Sequence, residues 1–157
     1  MSKITTFLWF DGKAEEAMNH YLSIFKNSKA GSVTRYGAGG PGPKGAVMSA
    51  SFQLEGHDFV ALNGGPQFKF TEAISMLVSC ESQEEVDDLW RKLGDGGQPQ
   101  QCGWLKDRFG LSWQIIPAAL GRMLGDPDPA RSKRVMEAML QMEKIDIARL
   151  EQAYRGS

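Results

Sequence analysis

Histidine and cysteine are scarce in this chain: His20, His57, Cys80 and Cys102 are the only two of each among 157 residues. Zinc and related ions are held by closely spaced imidazole, thiolate or carboxylate ligands, and no HExxH, CxxC or clustered carboxylate set is present. Each histidine reads instead as a surface or half-buried side chain. Two cysteines are too few for a disulfide framework, so both are expected as free thiols in a reducing compartment. Long hydrophobic runs are missing as well. The apolar residues between Lys3 and Asp11 fall short of a signal segment, which needs about 7–15, and of a membrane helix, which needs about 20. The expectation is a cytoplasmic protein with no membrane partner. Charge of one sign is also lacking, with 18 Lys and Arg against 19 Asp and Glu and a net charge of −1. Phosphate neutralisation needs a local basic excess, so nucleic acid is not an expected partner.

What the chain does have is glycine, 18 residues against 7 prolines, within a composition that is 41% hydrophobic and 10% aromatic. Disordered segments are poor in aromatics, so these glycines punctuate folded structure. Residues 3–10 are β-branched and aromatic and end at Asp11-Gly12, a strand closed by a turn. Lys13 to Phe25 sets Ala14, Ala17, Met18, Tyr21, Leu22 and Phe25 at spacings of three and four, an amphipathic helix. A short strand at Ser32–Tyr36, a Gly/Pro loop at 37–45 and a hairpin of Ala46–Leu54 with His57–Leu62 follow. The pattern then restarts. Ile74–Cys80 reads as a strand, and Ser82 with Glu85 has the form of a capping box for a helix carrying Val86, Leu89, Trp90 and Leu93. A polar stretch, Trp104–Arg108, the turn Phe109-Gly110 and a strand Leu111–Ile116 complete it. Strand, helix and three strands are thus written twice, and Glu15-Glu16-Ala17 and Glu84-Glu85-Val86 open the two helices alike. This is the signature of a duplicated βαβββ module. From Pro117 onward Met123, Met136, Met139, Leu140, Met142, Ile145, Ile147, Leu150 and Tyr154 recur at helical spacing, with Asp128-Pro129 and Asp146 as start signals. Two or three helices packed on the sheet or on a neighbouring subunit are expected there.

Gly37-Ala-Gly39-Gly-Pro-Gly42 matches G-x-G-x-x-G by letter. A dinucleotide site needs a helix to begin inside that motif, and Pro41, Pro43 and the strand from Ala46 leave no room for one. It reads as a hairpin loop or flap. Cys80 ends an apolar strand and reads as a small buried hydrophobe. Cys102 lies just before Lys106 and Arg108, and neighbouring cations lower a thiol's pKa. Without a histidine nearby in sequence it is a weak nucleophile candidate. Asn63-Gly64-Gly65-Pro66, Phe68, Phe70, Trp104, Trp113 and Gln114 supply the apolar walls and few polar groups of a small-molecule pocket, and equally of a core with a turn.

Three stretches together resemble the PhnB-like family, labelled 3-demethylubiquinone-9 3-methyltransferase, of the vicinal oxygen chelate superfamily that includes glyoxalase I and bleomycin-resistance proteins. They are Phe7-Leu-Trp-Phe-Asp-Gly-Lys-Ala-Glu-Glu-Ala17, Phe59-Val-Ala-Leu-Asn-Gly-Gly-Pro66, and Cys102-Gly-Trp-Leu-Lys-Asp107 with Phe109-Gly-Leu-Ser-Trp-Gln114. The resemblance implies an α+β fold of two βαβββ modules, about 3–65 and 74–117 within 1–117, forming a cupped eight-stranded mixed sheet, and a homodimer. Residues 118–157 are then a C-terminal helical extension. Enzymes of the superfamily hold a divalent metal on these strands, and the implied ligand positions fall near Thr6, at Ala61 or Asn63, near Ile74 and at Gln114. Only Gln114 has a plausible donor, since Zn, Ni and Fe(II) favour imidazole, carboxylate or thiolate. No metal and no cofactor are therefore expected. The methyltransferase label carries little, because the only glycine motif is not a strand-to-helix loop.

The expectation is a metal-free homodimer that binds an apolar or aromatic metabolite. Its cup would be lined by Thr6, Leu8, Asn63, Phe70, Met76, Trp104 and Gln114, with Asn63 and Gln114 orienting a polar group and Cys102 at the rim. On that alignment the even-numbered residues of the first strand face inward, while Trp9, Trp90 and Trp113 pack against the helices. Two alternatives stay open: an isomerase, transferase or lyase using Gln114 or Cys102, and a structural dimer whose cup is filled by side chains.

Overall fold

The computed structural model describes residues 3–156. The chain divides into two compact units, Met1–Phe70 and Thr71–Ser157. In the first, β1 (Thr6–Phe10), α1 (Ala14–Ile24), β2 (Ser28–Arg35), β3 (Val47–Leu54) and β4 (His57–Asn63) follow in order. The strands form a four-stranded sheet of order β1-β4-β3-β2, parallel between β1 and β4 and antiparallel elsewhere. In the second, β5 (Ser75–Cys80), α2 (Gln83–Gly94), β6 (Gln98–Pro99), β7 (Trp104–Lys106) and β8 (Ser112–Pro117) repeat the plan. Their sheet has the order β5-β8-β7-β6, again with one parallel pair. The twice-written βαβββ pattern is thus present as two four-stranded mixed sheets.

One face of the first sheet is covered by α1. Tyr21 of α1 stacks on Phe52, and Phe52 stacks on Phe59 at 5.3 Å, all three buried. Register partners in a sheet point to the same side. Thr6, Leu8 and Phe10 pair with Phe59, Ala61 and Asn63, so the even-numbered residues of β1 lie on the helix side. Leu8 is 4% exposed there, whereas Phe7 on the far side is 62% exposed. The expected assignment of faces in β1 is therefore reversed. The cause is visible in the sequence: Phe-Leu-Trp-Phe is apolar at both parities, so alternation cannot choose a face.

The helix α1 has no local side-chain cap at Lys13. Its first amide, Ala14 N–H, is instead capped by Asn63 Oδ1 at 2.9 Å, from the end of β4. The Asn63 amide also donates to the Val47 carbonyl at 3.1 Å. Beside it, Gly64 lies against the Trp9 indole, where a Cβ would meet ring atoms at 2.4 Å. Trp9 Nε1 donates to the Gly65 carbonyl, and Phe68 closes on the indole edge at 4.8 Å. The Asn63-Gly-Gly-Pro66 segment thereby fixes both α1 and Trp9. The loop at 37–45 is a hairpin connection closed by Tyr36 N–H to the Ala46 carbonyl, and Gly42 packs where a Cβ would strike the Tyr36 ring. No helix starts in it.

In the second unit, Ser82 Oγ accepts from Glu85 N–H and Glu85 reaches back to Glu81 N–H, which starts α2 as its sequence suggested. Buried Val86, Leu89 and Leu93 of α2 face a sheet side that carries Leu105, Trp113 and Ile115. The tight turn between β7 and β8 is built on Asp107, which is 3% exposed. Its carboxylate accepts from Phe109 N–H, Leu111 N–H and Trp113 Nε1, each within 3.0 Å.

Three helices follow: α3 (Ala118–Leu124), α4 (Pro129–Met139) and α5 (Ile147–Arg155). Asp128 and Asp146 cap the last two. Leu120, Val135, Met142, Ile145 and Leu150 form their shared core, with Ile116 of β8 packed against it. The Gln83 side chain grips this extension from α2, donating to the Ile145 carbonyl and accepting from Ile147 N–H. Among the described residues no helix is long and apolar enough to cross a membrane.

Replacing Asp107 by Ala leaves the buried Leu111 N–H, the half-buried Phe109 N–H and the buried Trp113 indole N–H without this acceptor. We expect a loss of about 3–4 kcal/mol, by the cost of unsatisfied buried donors and lost charge-assisted bonds. Urea unfolding followed by tryptophan fluorescence checks it, and a loss below 1 kcal/mol would contradict the role assigned to the carboxylate.

Candidate ligand-binding face

Each sheet has a face turned away from its helix, and the two are described separately. In the first unit that face carries Phe7 and Trp9 of β1 beside Val60 and Leu62 of β4, and Ser49 and Ser51 of β3. It is apolar along one edge and lined with hydroxyls next to it. Two residues expected to line a pocket are not on this face. Leu8 belongs to the core under α1, and Asn63 points to the α1 side with both ends of its amide committed. Thr6 shares that parity, and its Oγ1 is hydrogen-bonded with His57 Nε2 at 2.9 Å. Phe70 packs edge-on against Phe10, a buried core residue. The expected ligand-orienting role of Asn63 is thus replaced by a helix-capping one.

The second unit is more informative. Leu105 and Trp113 are register partners on the α2 side, and Met76 pairs with Trp113, so Met76 also belongs to that side and not to the far face. The alternate residues form two rows on the far face. One row is Leu77 of β5, Gln114 of β8 and Trp104 of β7; the next is Ser75, Ser112, Lys106 and, on the edge strand β6, Gln98. Trp104 and Gln114, both expected at the site, are therefore direct neighbours. The Gln114 amide donates to Ser75 Oγ at 2.9 Å, and Lys106 Nζ lies 3.0 Å from Glu72 Oε1. That ion pair holds the Glu72 carboxyl below the usual carboxylate range, chiefly through the hydrogen bond from Lys106. Leu77 is 59% exposed and supplies an apolar shelf beside the amide. Ser75, Ser112, Lys106 and Glu72 were missed by sequence reasoning. A period of two from Gln114 back to Ser112 was the available signal.

The thiols differ. Cys80 is buried at the end of β5, and burial, followed by Glu85 and Glu81, pushes its pKa up to about 12. Cys102 has a left-handed backbone, φ +61°. Its N–H donates to the Met142 carbonyl and that of Gly103 donates to the Glu143 carbonyl, which ties the loop to the chain entering α5. A Cβ on Gly103 would meet Ile116 and Ile145 at about contact-breaking range, 2.8 and 3.0 Å. Cys102 and Gly103 thus anchor the C-terminal extension. No base stands within hydrogen-bond reach of the Cys102 thiol among the described residues, which a nucleophilic role would call for.

The residues at the implied metal positions do not fit a divalent cation. Ala61 and Ile74 have no donor atom, Thr6 is bonded to His57, and the Asn63 and Gln114 amides are engaged within their own units. Among the described residues no group of three or more His, Cys, Asp or Glu could hold an ion.

The family model described as 3-demethylubiquinone-9 3-methyltransferase matches residues 2–116. Among curated proteins none matches the chain. A solved structure titled putative 3-demethylubiquinone-9 3-methyltransferase, PhnB protein, from Bacillus cereus is 43% identical, covering 74% of this chain and 100% of its own, with a TM-score of 0.69. Protein PA1353 from Pseudomonas aeruginosa is 21% identical over 74% of this chain and 98% of its own, at a TM-score of 0.62. The fosfomycin resistance protein FosX from Listeria monocytogenes, solved with Mn(II) and sulfate, is 15% identical over 79% of this chain and 96% of its own, at 0.54. The last two likenesses speak to fold alone.

Two measurements check these assignments. Asn63→Ala should destabilise the protein by about 1–3 kcal/mol, a lost cap plus a lost carbonyl partner, while Gln114→Ala changes stability by less than about 1 kcal/mol. Iodoacetamide at pH 8 should leave Cys80 unmodified in the native protein and label it in denaturant. Because the folded thiol titrates above the unfolded one, its contribution to stability is complete below about pH 9 and declines as pH rises towards about 12. Native labelling of Cys80 at the denatured rate would contradict its burial.

Proposed function

The chain belongs to the 3-demethylubiquinone-9 3-methyltransferase family of PhnB-like proteins, within the vicinal oxygen chelate superfamily, and from that premise we propose that it binds a small apolar or aromatic metabolite without a metal. The observation that carries this reading is the row Leu77, Gln114 and Trp104 on the face of the second sheet turned away from α2. An exposed aliphatic side chain, a neutral amide and an indole side by side suit a flat, largely apolar ligand with one polar group. Stacking on Trp104 and shelter by Leu77 would supply affinity, and the Gln114 amide would supply orientation. The amide is held by Ser75, so its direction is set before a ligand arrives.

The donor set argues against metal chemistry at this face. Gln114 is neutral where superfamily enzymes place a carboxylate, and its neighbours are a hydroxyl, an indole and an ammonium. The activity in the name of the 43% identical relative belongs to that protein, and a transfer reaction would need a donor site of its own. Homodimerisation and a cytoplasmic location remain part of the proposal. Within the first unit, exposed Ile4, Phe7 and Phe68 favour a partner that covers them in the assembled protein.

A thermal-shift screen against aromatic metabolites, followed by calorimetry on the hits, tests the reading. Affinity should persist in excess EDTA and in Cys102→Ser, and fall at least about tenfold in Trp104→Ala, the loss of one aromatic contact of about 1.4 kcal/mol. Chelator-dependent binding, or turnover abolished by Cys102→Ser, would replace binding by catalysis. No shift with any compound would favour a purely structural protein.

A further inference from the structure

Ser112 is anomalous in the second polar row. It is 0% exposed, and its hydroxyl has no hydrogen-bond partner among the described residues. Buried hydroxyls are almost always paired, and an exception calls for an explanation in terms of what the site does. Its register partners are Ser75 on one side and Lys106 on the other, and Gln114 follows two residues later on the same face. The groups collected here can all donate: the Ser75 hydroxyl, whose oxygen already accepts from Gln114, the Ser112 hydroxyl and the Lys106 ammonium. Donors at neighbouring register positions beside one positive charge suit an oxyanion.

A carboxylate already tests that site. Glu72 comes from the exposed turn at 71–74, just before β5, and its carboxylate meets Lys106 while its side chain remains 52% exposed against 28% for the lysine. An ion pair this open adds little to stability, so its exchange for another carboxylate is easy.

We propose that Ser75, Ser112 and Lys106 form an oxyanion subsite that takes the carboxylate of an aromatic ligand, and that Glu72 is the internal carboxylate such a ligand displaces. This rests on the reading that the Trp104 face binds a small molecule, and adds the ligand's charge and its competitor. The ligand's ring lies over Trp104 and Leu77 and its carboxylate meets Lys106; the Ser112 hydroxyl, closed to solvent in the unliganded protein, gains the acceptor it lacks as the second row opens on departure of Glu72.

The test uses the full chain, isotopically labelled, with benzoate and its neutral isostere benzamide titrated at low salt while the Trp104 indole signal is followed. Glu72→Gln should bind benzoate several-fold more tightly than the native protein and benzamide equally. Lys106→Met should abolish the preference for benzoate, and Lys106→Arg should retain it. Ser112→Ala should raise the melting temperature of the unliganded protein by about 2–4 °C, yet weaken benzoate by about tenfold. Those opposite signs distinguish a ligand contact from a structural hydroxyl. Equal affinity for the two compounds in Glu72→Gln, or an unchanged benzoate affinity in Ser112→Ala, overturns the subsite and leaves binding at the Trp104 face standing. Failure of both compounds to move the Trp104 indole in any variant overturns the two together.

Discussion

The second unit depends on one buried carboxylate. Asp107 reaches two backbone amides of the turn that follows it and the indole N–H of Trp113, so one side chain sets the turn, the start of β8 and the orientation of its largest residue. Those bonds fix which side of β8 faces α2. With Trp113 seated against the helix, Ser112 and Gln114 can only point the other way, because neighbours on a strand alternate. The candidate face is therefore a consequence of the Asp107 turn. In the first unit Asn63 does comparable work, tying the end of β4 to the first amide of α1 and to the Val47 carbonyl.

This explains what the family resemblance is made of. The Asn63-Gly-Gly-Pro66 segment caps a helix and seats an indole, Cys102-Gly103 docks the C-terminal extension, and the stretch from Asp107 to Trp113 builds a turn. Each of these residue types is demanded by geometry: a short amide acceptor, a missing Cβ beside a ring, a carboxylate among N–H groups. Two chains that share them share the fold, and their ligands are free to differ. In the second unit, Trp104, Lys106, Ser112 and Gln114 are the members of the resembling stretches whose side chains lie on the far face of the sheet.

Much of the architecture was legible because its signals are local. The Ser82 and Glu85 box, the Asp128 and Asp146 caps and the spacing of Val86, Leu89 and Leu93 act within a few residues, and all appear in place. Tertiary context decided the rest. The strand β2 starts at Ser28 and not at Ser32, because it is an edge strand, mostly exposed and irregular in register, with no alternation to mark it. The β1 faces were reversed because both parities are apolar, so the choice fell to α1. Asn63 looked like a ligand contact because its partner amide lies 49 residues away in sequence. Cys102 is a weak nucleophile candidate in sequence because adjacent cations are visible there, whereas a left-handed backbone and a distant carbonyl partner are not. In each case, local sequence gave the residue a chemistry and long-range contacts assigned its use.

The same distinction bears on the far face itself. A residue that serves the fold has its polar atoms matched within the protein, as both ends of the Asn63 amide and both oxygens of Asp107 are. Ser112 and Lys106 do not satisfy that criterion. The hydroxyl is buried and unmatched, and the ammonium is matched only by a carboxylate on an exposed turn. A fold that needed only stability would carry Ala at 112, since removing an unpaired buried hydroxyl gains about 1–3 kcal/mol. A polar group retained against that gradient, two positions from Gln114 and beside Lys106, marks where an interaction from outside the protein repays the cost.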